Sequence, residues 1–142
     1  MNSSKEMLTS LLKTAQMGQV GIRSVLETPM RPALRKALED QLQEYDAIES
    51  EIYHLASLRG WELRCLDPAA KFMADMAARG KLAWGSTDSK IAGMMIQGNT
   101  KGMIKGIRDS HQFSKDDEQI RILSRKLLDC ETANIRQMQS FL

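Results

Sequence analysis

Glu131 and Asn134 stand three residues apart in the stretch "KLLDCETANIRQM", whose apolar residues recur at intervals of three and four. On a helix that spacing puts both side chains on one face, one turn apart. With histidine in the second place, such a pair is a metal-ligand motif; here the second place holds an amide. Other polar residues interrupt apolar stripes in the same way. Gln19 falls between Ala15 and Ile22, and Thr100 between Ile96 and Met103. Gln41 lies at the centre of a third stripe, with Glu44 at its edge. Counted in turns from their helix ends, all of these come to a similar height. A hard di-metal centre wants several carboxylates, whose charge offsets the cations. Two acids among neutral Gln, Thr and Asn are a poor set for that purpose. The expected chemistry is therefore a hydrogen-bonded polar layer that sets register between helices, with no catalytic residue, no metal and no cofactor. The alternative is iron or manganese, weakly held.

Other reactive groups are sparse. A literal Glu-x-x-His occurs at Glu51 and His54, but His54 falls off the apolar stripe and the pair lies past mid-height. His111 ends another helix, and no nucleophile–base pair stands out. Cys65 and Cys130 are far apart, without a CxxC partner. Reduced thiols in a cytoplasmic protein are the expectation.

Four long helices are needed to position these residues. Ser3 or Ser4 caps the first, with Leu8, Leu11, Leu12, Ala15, Ile22 and Leu26 on its stripe. The second starts near Pro32 and stops at Gly60. It carries Leu34, Leu38, Leu42, Tyr45, Ile48, Ile52 and Leu55 on one side. A short helix follows Asp67–Pro68 and ends near Gly80. The third long helix runs from about Asp88 to His111, and Ser114 opens the fourth. Two short connections and one long one, residues 61–87, predict an all-α, up-down four-helix bundle with one long crossover that contains a short extra helix. That is the ferritin-like arrangement, as a single domain over residues 1–142.

The third long helix contains "IAGMMIQGNTKGMIKG". Gly98, Gly102 and Gly106 recur every four residues and share a strip at the edge of the buried arc. Close approach of a neighbouring helix is expected there, with Gly18 and Gly21 of the first helix as the matching surface. A phosphate loop is excluded, because Asn99 stands where its lysine must be. Met94, Met95 and Met103 are read as gap-filling core in preference to soft-metal ligands.

Composition agrees with a helical globular protein. The 142 residues are 42% hydrophobic and 27% charged, with ten methionines and a formal net charge of +2. That charge is too small to argue for nucleic acid, and Lys90, Lys101, Lys105 and Arg108 read as a solvated face. No run approaches the roughly 20 apolar residues of a membrane span, and the N-terminus lacks a signal-peptide core.

The segment "TPMRPALRKALEDQLQEYDAIESEIYHLASLRGW" resembles the spore coat protein F type of ferritin-like domain. Thr28, Pro29, Leu34, Arg35, Leu38, Gln41, Leu42, Gly60 and Trp61 carry the likeness, which covers residues 5–80. After Trp61 this chain reads "ELRCLDP", where the coat family continues with a His, Tyr and Pro cluster. Ferritin-like carboxylate proteins place a Glu on each of two helices and a Glu-x-x-His on each of the others. By resemblance, Gln19 takes the first Glu position and Thr100 the third-helix position. Glu131-x-x-Asn134 keeps the Glu of its motif, while Gln41-x-x-Glu44 and Glu44-x-x-Ala47 remain alternatives on the second helix. The resemblance implies a small bacterial bundle, cytoplasmic or spore-associated. The function expected is non-catalytic: a bundle that works through protein contacts and self-associates, as a dimer. The alternative is a ferritin-like oxidoreductase or iron-storage subunit with an atypical metal site.

Overall fold

Ser3 opens the first helix with a reciprocal box. Its hydroxyl accepts from the Glu6 N–H at 3.1 Å, and the Glu6 carboxylate accepts from the Ser3 N–H at 3.3 Å. The computed structural model describes residues 3–113 and 116–142, and its five helices begin there with α1 (Ser4–Leu26). Arg35 reaches back to the Leu26 and Thr28 carbonyls, satisfying acceptors left open at the end of α1. α2 (Pro32–Leu58) starts on proline, whose missing N–H is not needed in a first turn. It ends on Gly60, at φ 67°. The Gly60 N–H returns to Ser57 and the Trp61 N–H to Ala56, a glycine-dependent Schellman closure.

α3 (Pro68–Leu82) is capped by Asp67, which accepts from the Ala69 N–H at 2.9 Å. It passes through Gly80, the expected end, to Leu82. α4 (Asp88–Gln112) is capped by the Thr87 side chain, and α5 (Glu118–Gln139) starts after Asp117, whose side chain makes no capping hydrogen bond. Ser114, expected to open the last helix, lies outside the described residues. No strand occurs among the described residues, and the fold is all-α.

The most extensive packing is α1 on α2 and α4 on α5, and α1–α4, α2–α5 and α1–α5 contacts join the pairs. The stripes of α1, α2 and α5 meet in one core, where Met7, Leu12, Leu38, Ile52, Ile120 and Met138 are fully buried. α4 joins that core only through its first two turns, by Ile91, Ala92 and Met95. Beyond Asn99 it buries no side chain, and Ile104 and Ile107 are exposed. The wider buried arc expected for this helix is therefore shorter than its sequence pattern indicates. Glycines supply no apolar area to hold the helix down.

α3 has α1 as its main contact and buries none of its own residues. Polar links hold it. The Ser24 hydroxyl lies 2.5 Å from Asp75 Oδ1, and Arg79 bridges Asp75 and Glu27. Lys90 donates to the Lys81 and Gly85 carbonyls, fixing the end of α3 to the start of α4.

Arg59, just past α2, grips Asp117, just before α5, through both guanidinium nitrogens, with Nη2–Oδ1 at 2.8 Å. Its guanidinium also lies 5.1 Å from the Trp61 ring centroid. The Arg59 contact holds the Asp117 carboxyl down at about 2, below its ordinary 3.8. The link therefore stabilises above pH 3.8 and is lost as pH falls towards 2. Arg59→Ala is expected to cost about 1–2 kcal/mol at neutral pH, read from the urea midpoint. The difference from the native chain shrinks in acid.

Candidate functional site

The mid-height residues divide into two groups. Gln19 is buried on α1 and donates to Asp46 at 2.9 Å and to Glu49 at 3.3 Å on α2. Gln41 donates to Gln137 at 2.8 Å, tying α2 to α5 and leaving its own Oε1 without a partner. Among the described residues neither amide is hydrogen-bonded to the second group, which surrounds Tyr45. The Tyr45 hydroxyl donates to Asn99 Oδ1 at 2.9 Å, and Asn99 in turn donates to the Met95 carbonyl at 2.8 Å. Glu131 and Asn134 are buried on the facing side of α5. Burial and the nearby Glu131 raise the Tyr45 pKa far above its ordinary value, so its proton stays in place.

Thr100 does not join either group. Its side chain is exposed, and its hydroxyl turns back to the Ile96 carbonyl at 2.8 Å. Asn99, one residue earlier and 100° round the helix, is the α4 member of the layer. Glu44 is also exposed, and accepts from the Cys130 thiol at 3.3 Å. Burial and that contact push the Cys130 pKa to about 12, so it remains a thiol and not a nucleophile. Glu51 pairs with Lys126, and His54 is exposed.

The glycines do not bring two helix backbones together as expected. A side chain at Gly21, Gly98 or Gly106 would meet nothing within 4 Å. Gly18 and Gly102 do face close neighbours, but these are single side chains. A Cβ at Gly18 would stand 2.5 Å from Tyr45 Cζ, and one at Gly102 would overlap the Glu131 carboxyl. α1, α3 and α4 form the main walls of a half-open cavity of about 470 Å³. Gly18, Gly21, Gly98 and Gly102 line it, with Met17, Ile22 and Met94 among its apolar walls. Lys13, Lys81, Lys101 and Lys105 also border it.

Glu131 opens onto this cavity at 3% exposure, with no hydrogen-bond partner among the described residues. Burial alone pushes its carboxyl from an ordinary 4.5 up to about 8, so it is neutral at pH 7. A neutral, isolated carboxyl is a poor ligand for a hard cation. No three His, Cys, Asp or Glu side chains converge as a metal-binding group among the described residues. Gln19 is taken by Asp46 and Glu49, and Thr100 faces outward. The residues present do not fit the di-metal centre that the ferritin-like resemblance implies.

No family model matches this chain, and no curated protein or solved structure matches it. No described helix is long and apolar enough to cross a membrane.

Two contributors escaped the sequence reading. Tyr45 was legible as core, but its hydroxyl is the centre of the polar layer. Gln16 was not singled out at all. It accepts from the Leu66 N–H at 2.7 Å and donates to Glu49 at 3.0 Å, pinning residues before α3 to the α1–α2 pair. Its position next to Ala15 on the buried face was the available signal.

Two predictions follow from burial and space. The Glu131 carboxyl is raised in the fold, so the folded state binds a proton that the unfolded chain has lost between pH 4.5 and about 8. Native stability therefore falls across that window relative to Glu131→Gln. The gap is expected to widen by on the order of 3–5 kcal/mol between pH 5 and pH 8.5, measured by urea unfolding of both proteins. For the glycines, Gly98→Ala enters open space and is expected to gain up to about 1 kcal/mol of helix stability. Gly18→Ala meets a rigid buried ring and is expected to lose about 1–3 kcal/mol. Thermal melts of the two variants check the opposite signs.

Proposed function

We propose that this chain is a non-catalytic helical bundle of ferritin-like topology that works by contact, first with a second copy of itself. The observation that carries the reading is the outer face of α3. Phe72 is 63% exposed, Met73 69% and Met76 51%, and Trp84 just beyond the helix is 92% exposed. Aromatic and methionine side chains are enriched in protein interfaces, and grouped exposure of this kind marks an interaction surface. Polar links tie α3 to α1 beside this face, Asp75 to Ser24 and Arg79 to Glu27.

A second copy is the occupant favoured by symmetry. A two-fold interface needs only one self-complementary patch, and one short helix crossing its own image supplies it. Two helical pairs joined by residues 59–87 support the ferritin-like topology. The spore-associated placement rests on the resemblance of residues 5–80.

Sedimentation velocity over a concentration series tests this reading. The native chain is expected to sediment as a dimer, and Met73→Glu as a monomer with unchanged helical content. A native chain that stays monomeric at the highest concentration, or a variant that still dimerises, defeats it.

A further inference from the structure

The cavity between α1, α3 and α4 has a built interior. Its volume of about 470 Å³ lies within the roughly 300–1,000 Å³ of small-molecule sites. Its walls are methionine, isoleucine, alanine and bare glycine, which accept an apolar body of variable shape. The polar groups are unequally distributed in charge. Four lysines border the space, and the one acid is Glu131. Lys105 is engaged by Asp109, whereas Lys13, Lys81 and Lys101 have no ion pair among the described residues. Three uncompensated cations beside an apolar space attract an amphiphile's anionic head.

Glu131 supplies the second requirement. It is almost wholly buried, it borders the cavity, and its hydrogen-bonding capacity is unmet by any described residue. A buried polar group in that condition calls for a partner. Tyr45 and Asn99 also border the cavity, but each is already engaged with the other. Glu131 is thus the group with bonds left to make. Being protonated at neutral pH, it donates to an oxygen and does not repel an anion.

We propose that this cavity binds an amphiphilic carboxylate, its head drawn to the lysines along the rim and its buried end carrying an oxygen that hydrogen-bonds to Glu131. A plain alkyl chain would leave Glu131 unsatisfied, and an alkylammonium would meet the lysines with like charge. The inference is independent of dimer formation, because the outer face of α3 is not part of the cavity wall.

Isothermal titration calorimetry of the full chain at neutral pH, with ω-hydroxydecanoate, decanoate and decylammonium as probes, tests it. The hydroxy acid is expected to bind about fivefold more tightly than decanoate, the worth of one net hydrogen bond, and the amine not at all. Glu131→Leu is expected to erase the preference between the two acids, and Lys101→Glu to weaken both alike. Gly98→Leu fills open space in a helix that leucine favours, so it is expected to fold and melt no lower than the native chain while losing at least tenfold in affinity. No binding of either acid to the native chain overturns the proposal. So does undiminished binding to folded Gly98→Leu, a preference that survives Glu131→Leu, or tighter binding of the amine.

Discussion

A carboxyl group sits inside this bundle with nothing in the described protein to answer it, and much of the central architecture is arranged around that fact. An ionised carboxylate at 3% exposure without a partner is too costly to keep, so Glu131 holds its proton. Its oxygens fill the place where a side chain at position 102 would begin, which makes glycine the fitting residue there. The same relation recurs across the layer, where the Tyr45 ring occupies the place of a Gly18 side chain. Two glycines are thus explained by large polar side chains arriving from the packed partner helix, α2 for Gly18 and α5 for Gly102. What the small residue admits in each case is a side chain and not the neighbouring backbone.

α3 expresses a different compromise. Its helix is amphipathic, yet it buries no residue, because the cavity separates its inner alanines from α4. Apart from partly buried side chains such as Leu82, which packs on the core, it is held by hydrogen bonds and ion pairs at Ser24, Asp75, Arg79, Glu27 and Lys90, with the Gln16 amide fixing the approach at Leu66. Exposed ionic links of this kind contribute little each, and salt weakens them. α3 is therefore the helix least committed to the core, placed between an internal space and an outward apolar surface.

Legibility followed the size of the apolar signal. α1 and α2 have leucine and isoleucine stripes that define the phase of each helix, and most residues placed on them from spacing are core, although Leu26 is only half-buried and Met7 and Val25 were not named. The starts of α1, α2 and α3 were legible too, from Ser3 or Ser4, Pro32 and Asp67, as was the Gly60 stop of α2. α4 was harder, because methionine and glycine form much of its pattern and leave the phase weakly determined. A displacement of one residue exchanges Asn99 for Thr100 and moves the polar contact by 100°. The partners of Glu131 and Gln41 depend on distances between helices, to which periodicity along one helix is blind. Spacing also cannot distinguish a glycine pressed by a neighbour from one beside a void, and that distinction divides Gly18 and Gly102 from Gly21 and Gly98.

Glycine costs roughly 1 kcal/mol against alanine at a helix interior. Within α4, Gly93, Gly98, Gly102 and Gly106 all bear that cost, and only Gly102 meets a neighbour that forbids a larger side chain. Packing thus accounts for one of the four. For Gly98 the neighbouring volume is the cavity, and even a modest side chain there would take space from it. A bundle shaped for stability alone would place alanine or leucine at such a position and close the gap. Retaining a bare helix face, a neutral buried acid and a border of unpaired lysines around one space is consistent with an interior shaped to be filled from outside the chain.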